Sequence, residues 1–221
     1  TLGLAAGVGT SDGRVSGSVL LRRQVGRSHL TIEAERRLVG VGDTPRISGL
    51  LNTIRTVVDG ADLGDWWLRE SLRAGWEPQL AGAKVAASVA LERNHSVRSR
   101  FTALDGTRHP NPGLGYGSTV VARLGWGELK PASAGWRLDL EFGRGDADWS
   151  RARAAFATEL PLGLAARVSG GVASAGVPAA RSFVIGGRGS LPGIADRSLG
   201  GRRFFLIDLS RPIALRVGMP G

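Results

Sequence analysis

The sequence predicts an all-β chain, an antiparallel transmembrane β-barrel with one short helix in a long loop. Three observations predict it. Apolar and polar residues alternate with period two in run after run, the alternating runs are long, and the connections between them are short and long by turns.

Composition points the same way. Glycine occurs 34 times, which suits curved strands better than helices, where each costs about 1 kcal/mol. No stretch approaches the roughly 18 consecutive apolar residues of a membrane helix. Cysteine is absent, removing disulfides, thiolate metal sites and cysteine nucleophiles together. The 221 residues suffice for one all-β domain, and the start at Thr1 without a methionine is that of a piece of a longer chain. A formal charge of +10 raises the question of nucleic acid, but the arginines spread from Arg14 to Arg216 instead of gathering beside stacking aromatics. No nucleic-acid partner is expected; acidic lipid head groups at the rims of a barrel would use dispersed charge.

Taken in order, alternation bounded by turn residues places strands near 2–9, 14–24, 28–39, 65–79, 83–94, 116–126, 135–143, 147–159, 163–174 and 203–217. The clearest is the seventh, where Trp136, Leu138, Leu140 and Phe142 interleave with Arg137, Asp139, Glu141 and Gly143. The runs are ~8 to 15 residues long, nearer the ~9 to 11 of a tilted membrane strand than the ~5 to 6 of most strands. One segment departs from the pattern: Ile47, Leu50, Leu51, Ile54, Val57 and Val58 follow helical spacing, with Thr44 as N-cap, Pro45 in the first turn and Gly60 past the end.

The long connections, 40–64, 95–115 and 175–202, are all odd in order, while the short turns around Gly26, Ala81-Gly82, Lys130-Pro131 and Pro161 are all even. Outer-membrane barrels segregate short turns from long loops in this way. Trp66 and Trp76 share a face ten residues apart, a rise of ~34 Å that a strand tilt near 40° projects to ~26 Å, close to the height of an apolar band. Trp126 and Trp136 flank one short turn, and Trp67 and Trp149 stand beside long loops, where interfacial aromatic girdles would lie. Core tryptophans of a soluble sandwich are the alternative.

Sites for catalysis are not evident. His29, His95 and His109 lack ligand spacing, so no metal and no cofactor is expected. No Gly-x-Ser-x-Gly elbow and no Walker lysine occurs, and Gly187-x-Gly189 lacks the third glycine of a dinucleotide site. Glu33 and Glu35 face one side of a strand and could mimic a glycosidase pair, but a polar barrel lumen needs inward charge anyway. The chain is therefore read as non-enzymatic.

The remaining constellation is the loop 175–202. Gly186, Gly187, Gly189 and Gly193 permit positive φ and close approach to a wall, and Pro192 stiffens the tip. Its order of Gly-Gly, Leu-Pro-Gly-Ile, a second Gly-Gly and an alternating strand, over 181–217, resembles the signature loop of the Omp85 family, the D15-like bacterial surface antigens.

The resemblance implies an outer-membrane barrel of sixteen strands in a Gram-negative-type bacterium, with about ten visible in a single partial domain, 1–221. It implies a loop folded into the lumen through Gly186, Gly187, Leu191, Pro192, Gly193 and Ile194. The family's arginine and aromatic are Pro192 and Ile194 here, so the loop would be held by Arg188 or Arg197 pairing with Asp208 or Asp139. The implied role is insertion or translocation of proteins, with outer-membrane lipid, unfolded outer-membrane or secreted proteins and upstream periplasmic modules as partners. Two alternatives stand beside it: a barrel anchoring a larger protein such as a patatin-like lipase, and a soluble β-sandwich or adhesin module.

Overall fold

The computed structural model describes residues 1–8, 15–40, 66–80, 83–96, 117–129, 134–186 and 199–211. Alternation becomes strands: β1 (Leu2–Val8), β2 (Val15–Val25), β3 (Ser28–Gly40), β4 (Trp66–Leu80), β5 (Ala83–Ser96), β6 (Ser118–Glu128), β7 (Gly135–Gly145), β8 (Trp149–Leu160) and β9 (Leu164–Ala173) form an antiparallel meander. Two short strands, β10 (Phe183–Ile185) and β11 (Leu199–Gly201), pair with each other, and β12 (Arg203–Ser210) returns to pair with β9. Single-turn 3₁₀ helices cover Pro161–Gly163 and Ala179–Arg181. Gly26, at a positive φ of 58°, makes the two-residue turn between β2 and β3 possible. The helix expected around Ile47–Val58 lies outside the described residues. Among the described residues no helix is long and apolar enough to cross a membrane.

The sheet is open, and this corrects the expected fold class. Its order runs from β1 to β12, and these two edge strands are not paired with each other among the described residues. A barrel exists only when its first and last strands join. What forms is an open ten-stranded antiparallel sheet with a separate two-stranded one, not a closed transmembrane barrel. Period two reports that a strand has two unlike faces. Closure is a relation between strands far apart in sequence, to which alternation is blind.

Register sorts the alternation into those two faces. On one, lateral rows read Val19–Ala34–Leu72–Leu91–Val120 and Leu21–Ile32–Ala74–Val89–Ala122–Phe142. On the other they read Ser18–Glu35–Ser71–Glu92–Thr119 and Thr31–Gly75–Ser88–Arg123–Glu141–Arg151. Burial is the reverse of a simple one-sided sheet. Leu72 is 52% exposed, Leu91 59% and Phe205 69%, whereas Glu35, Glu92 and Glu141 are 6% or less.

The tryptophans divide by face as well. Trp76, Trp126 and Trp136 are exposed on the apolar side, the last two in edge contact at 5.4 Å between centroids. Trp67 and Trp149 are buried on the polar side, so they are not the interfacial girdle expected of them. Trp67 packs with Ala180, Val39, Ala147 and Val184, which places the small core over the polar face.

Candidate functional site

Residues 174–186 leave β9 and fold back over the polar face. Ser174 starts the return, its amide donating to the Ser150 carbonyl at 2.9 Å and its hydroxyl accepting from the Ser150 amide at 3.0 Å. Two glycines make room. A side chain on Gly143 would collide with the Trp149 indole, and one on Gly171 would meet the rings of Phe183 and Phe204 at 2.6 and 2.7 Å. Phe183 and Phe204 pack at 4.8 Å between centroids, fixing the incoming segment against β9 and β12. The Arg151 guanidinium lies 5.7 Å from the Phe183 centroid and donates to the Arg181 carbonyl at 3.0 Å.

These contacts deliver Arg181 to the middle of the face. Its guanidinium donates to Glu141 at 2.9 Å and, through the other Nη, to Glu92, joining β7 and β5. It lies 5.1 Å from the Trp67 ring centroid and 5.7 Å from that of Trp149, so the cation faces two π clouds as well as two carboxylates. Arg123 on β6 spans the same two acids, at 2.6 Å to Glu92 and 2.8 Å to Glu141, and Arg151 reaches Glu141 at 2.6 Å. The network continues to β3 and β4: Arg69 meets Glu35 at 2.5 Å and lies 4.0 Å from Glu92, while Arg37 and Arg73 also approach Glu35.

The electrostatics follow from these distances. Burial pushes the Glu92 and Glu141 carboxyls up, but the arginines outweigh it and hold both below the usual carboxylate range: Arg181 and Arg123 at Glu92, Arg181, Arg151 and Arg123 at Glu141. Burial likewise raises Glu35, and Arg69 and Arg37 bring it below. Arg69 itself is lowered, first by burial, with Glu35 and Glu92 opposing. The arginines thus favour the charged form of these three buried carboxylates, and the pairs hold a chain segment in place. Among the described residues no group of three histidines or acids could hold a metal ion.

The residues singled out in sequence fare unevenly. Gly186 ends the described part of the segment with a φ of 130°, a conformation suited to glycine. Gly187, Arg188, Leu191, Pro192, Gly193, Ile194 and Arg197 lie outside the described residues. Asp139 pairs with Arg137 at 2.7 Å on its own strand, and Asp208 stands opposite Arg167 in register. Glu33 and Glu35 do share a face, each bonded to arginine. Sequence reasoning missed Arg181, Glu92 and Glu141. Parity could have found the acids, since Glu92 shares a face with Ser88 and Ala90, and Glu141 with Arg137 and Asp139. No signal marks Arg181, which belongs to a stretch without periodicity.

No protein-family model matches the chain, and no curated protein matches it. The open sheet overturns the Omp85 resemblance. The outer-membrane location, the role in protein insertion or translocation and the anchoring barrel fall with it.

Proposed function

We propose that the chain is a non-catalytic docking module of the β-sandwich or adhesin kind, which buries its apolar sheet face against the same face of a second copy. One observation carries this: among the described residues the face is apolar from β1 to β12 and exposed, with Leu4, Leu21, Ile32, Val89, Phe142 and Ile207 all more than 45% exposed. Contiguous apolar surface beyond a few hundred Å² marks an interaction site. A stable interface buries roughly 800 Å² per partner. Rows of apolar side chains on one face are what two sheets interleave when they stack about 10 Å apart. At one end the apolar rows stop at a polar one, Arg36–Glu70–Arg93–Ser118, which serves as the rim of such an interface.

The test is mass by light scattering after gel filtration. The wild-type chain runs as a dimer, and the doubly substituted Leu72→Glu, Leu91→Glu chain as a monomer with an unchanged far-ultraviolet spectrum. A monomeric wild-type chain in plain buffer overturns the proposal. So does recovery of a monomer only inside detergent particles, which assigns the face to hydrocarbon instead of protein.

A further inference from the structure

The ion network does not fill the polar face. Between β2 and β8 lies a cavity of about 600 Å³, and its floor is made of the small residues Gly75, Ala86, Ser88 and Gly125. Ala86 stands opposite Gly125, and Gly75 opposite Ser88, so three neighbouring strands at mid-sheet, β4 to β6, contribute little side-chain volume there. The walls are cationic. Nine arginines line the cavity against four carboxylates, Glu33, Glu77, Asp139 and Glu141. Counting Glu35 and Glu92, which bind the same guanidinium groups, arginines still outnumber carboxylates among the described residues.

The excess shows in individual atoms. Each of Glu35, Glu92 and Glu141 is shared among three arginines. Nε of Arg73 and Nη1 of Arg123 are buried and have no acceptor. A buried N–H without an acceptor is costly, and the guanidinium fork matches oxygen atoms of phosphate or sulfate in pairs.

We infer that this cavity is a binding site for a compact multivalent oxyanion, of the phosphate- or sulfate-ester class, held between Arg73 and Arg123 over the Gly75–Gly125 floor. The ligand supplies acceptors that the protein's own carboxylates do not, and the glycine floor sets its size. The inference is independent of what covers the apolar face.

Calorimetric titration with inorganic pyrophosphate, at ionic strength fixed by potassium chloride, tests it. The wild-type chain binds with saturable heat. Arg73→Gln weakens binding about tenfold to hundredfold by removing a charge-assisted donor. Ala86→Leu, which fills the cavity and leaves the carboxylate pairs intact, abolishes binding. Competition by sodium sulfate distinguishes a general tetrahedral-oxyanion site, if sulfate displaces pyrophosphate, from a phosphate-selective one, if it does not. Heats no larger than those of chloride, or equal affinity in the wild-type and Ala86→Leu chains, overturn the inference. Should Arg73→Gln fail to fold, the Ala86→Leu comparison decides alone.

Discussion

Replacing Arg181 by Met keeps the aliphatic stem and deletes the charge at the centre of the polar face. Its side chain is only 9% exposed, so solvent does little to screen its pairs with Glu92 and Glu141. An acid left alone in such a place would cost about 3–5 kcal/mol. Neither is left alone. Glu92 keeps Arg123 at 2.6 Å, and Glu141 keeps Arg123 at 2.8 Å and Arg151 at 2.6 Å. The loss is then two charge-assisted hydrogen bonds, each about 1.5–3 kcal/mol but partly recovered by the remaining arginines, and the stacking on Trp67 and Trp149. A net destabilisation of about 3 kcal/mol follows. Urea unfolding followed by tryptophan fluorescence reads it as a midpoint lowered by about 1 M. Arg181→Lys, which keeps the charge without the fork, should lose about half as much. A Met variant within about 0.5 kcal/mol of wild type would refute the reasoning, because a surface substitution does no more than that.

Acid should loosen the same array. Glu35, Glu92 and Glu141 have folded-state values below their unfolded ones, so their stabilisation is complete above the ordinary carboxylate value and is lost as pH falls through the lowered ones. The urea midpoint should fall steeply as pH drops below about 4.5, and Glu141→Gln should flatten that slope; a midpoint constant down to pH 3 contradicts it. Gly171→Ala places a methyl group against Phe183 and Phe204 and should cost about 1–3 kcal/mol, with faster trypsin cleavage around Arg181. Cleavage at the wild-type rate would show that the aromatic pair does not hold the segment.

How much of this was legible in the sequence depends on the range of each interaction. Strands such as β7 read cleanly because alternation is local, and every bound falls within two residues of the observed one except at β12, which ends at Ser210. Trp67 was misplaced although its own parity, shared with Arg69, Ser71 and Arg73, assigns it to the polar face. Closure was not legible at all, since nothing in Leu2–Val8 reports on what Arg203–Ser210 pairs with. The partners of Arg181 lie 40 and 89 residues away on different strands. Register reveals that Glu141 stands opposite Arg123, and only side-chain reach joins Arg123 to Glu92, which stands opposite Thr119.

The meander has a consequence for assembly in time. From β1 to β9 each strand pairs with its immediate neighbour in sequence, so these hairpins can zip together with small closure entropy. The excursion between β9 and β12 is different: it must wait for β5 and β7 to exist before Arg181 has two carboxylates to grip. The chain is thus a zipper of short-range pairings with a late clasp, and the clasp joins strands that the zipper alone never brings into direct contact.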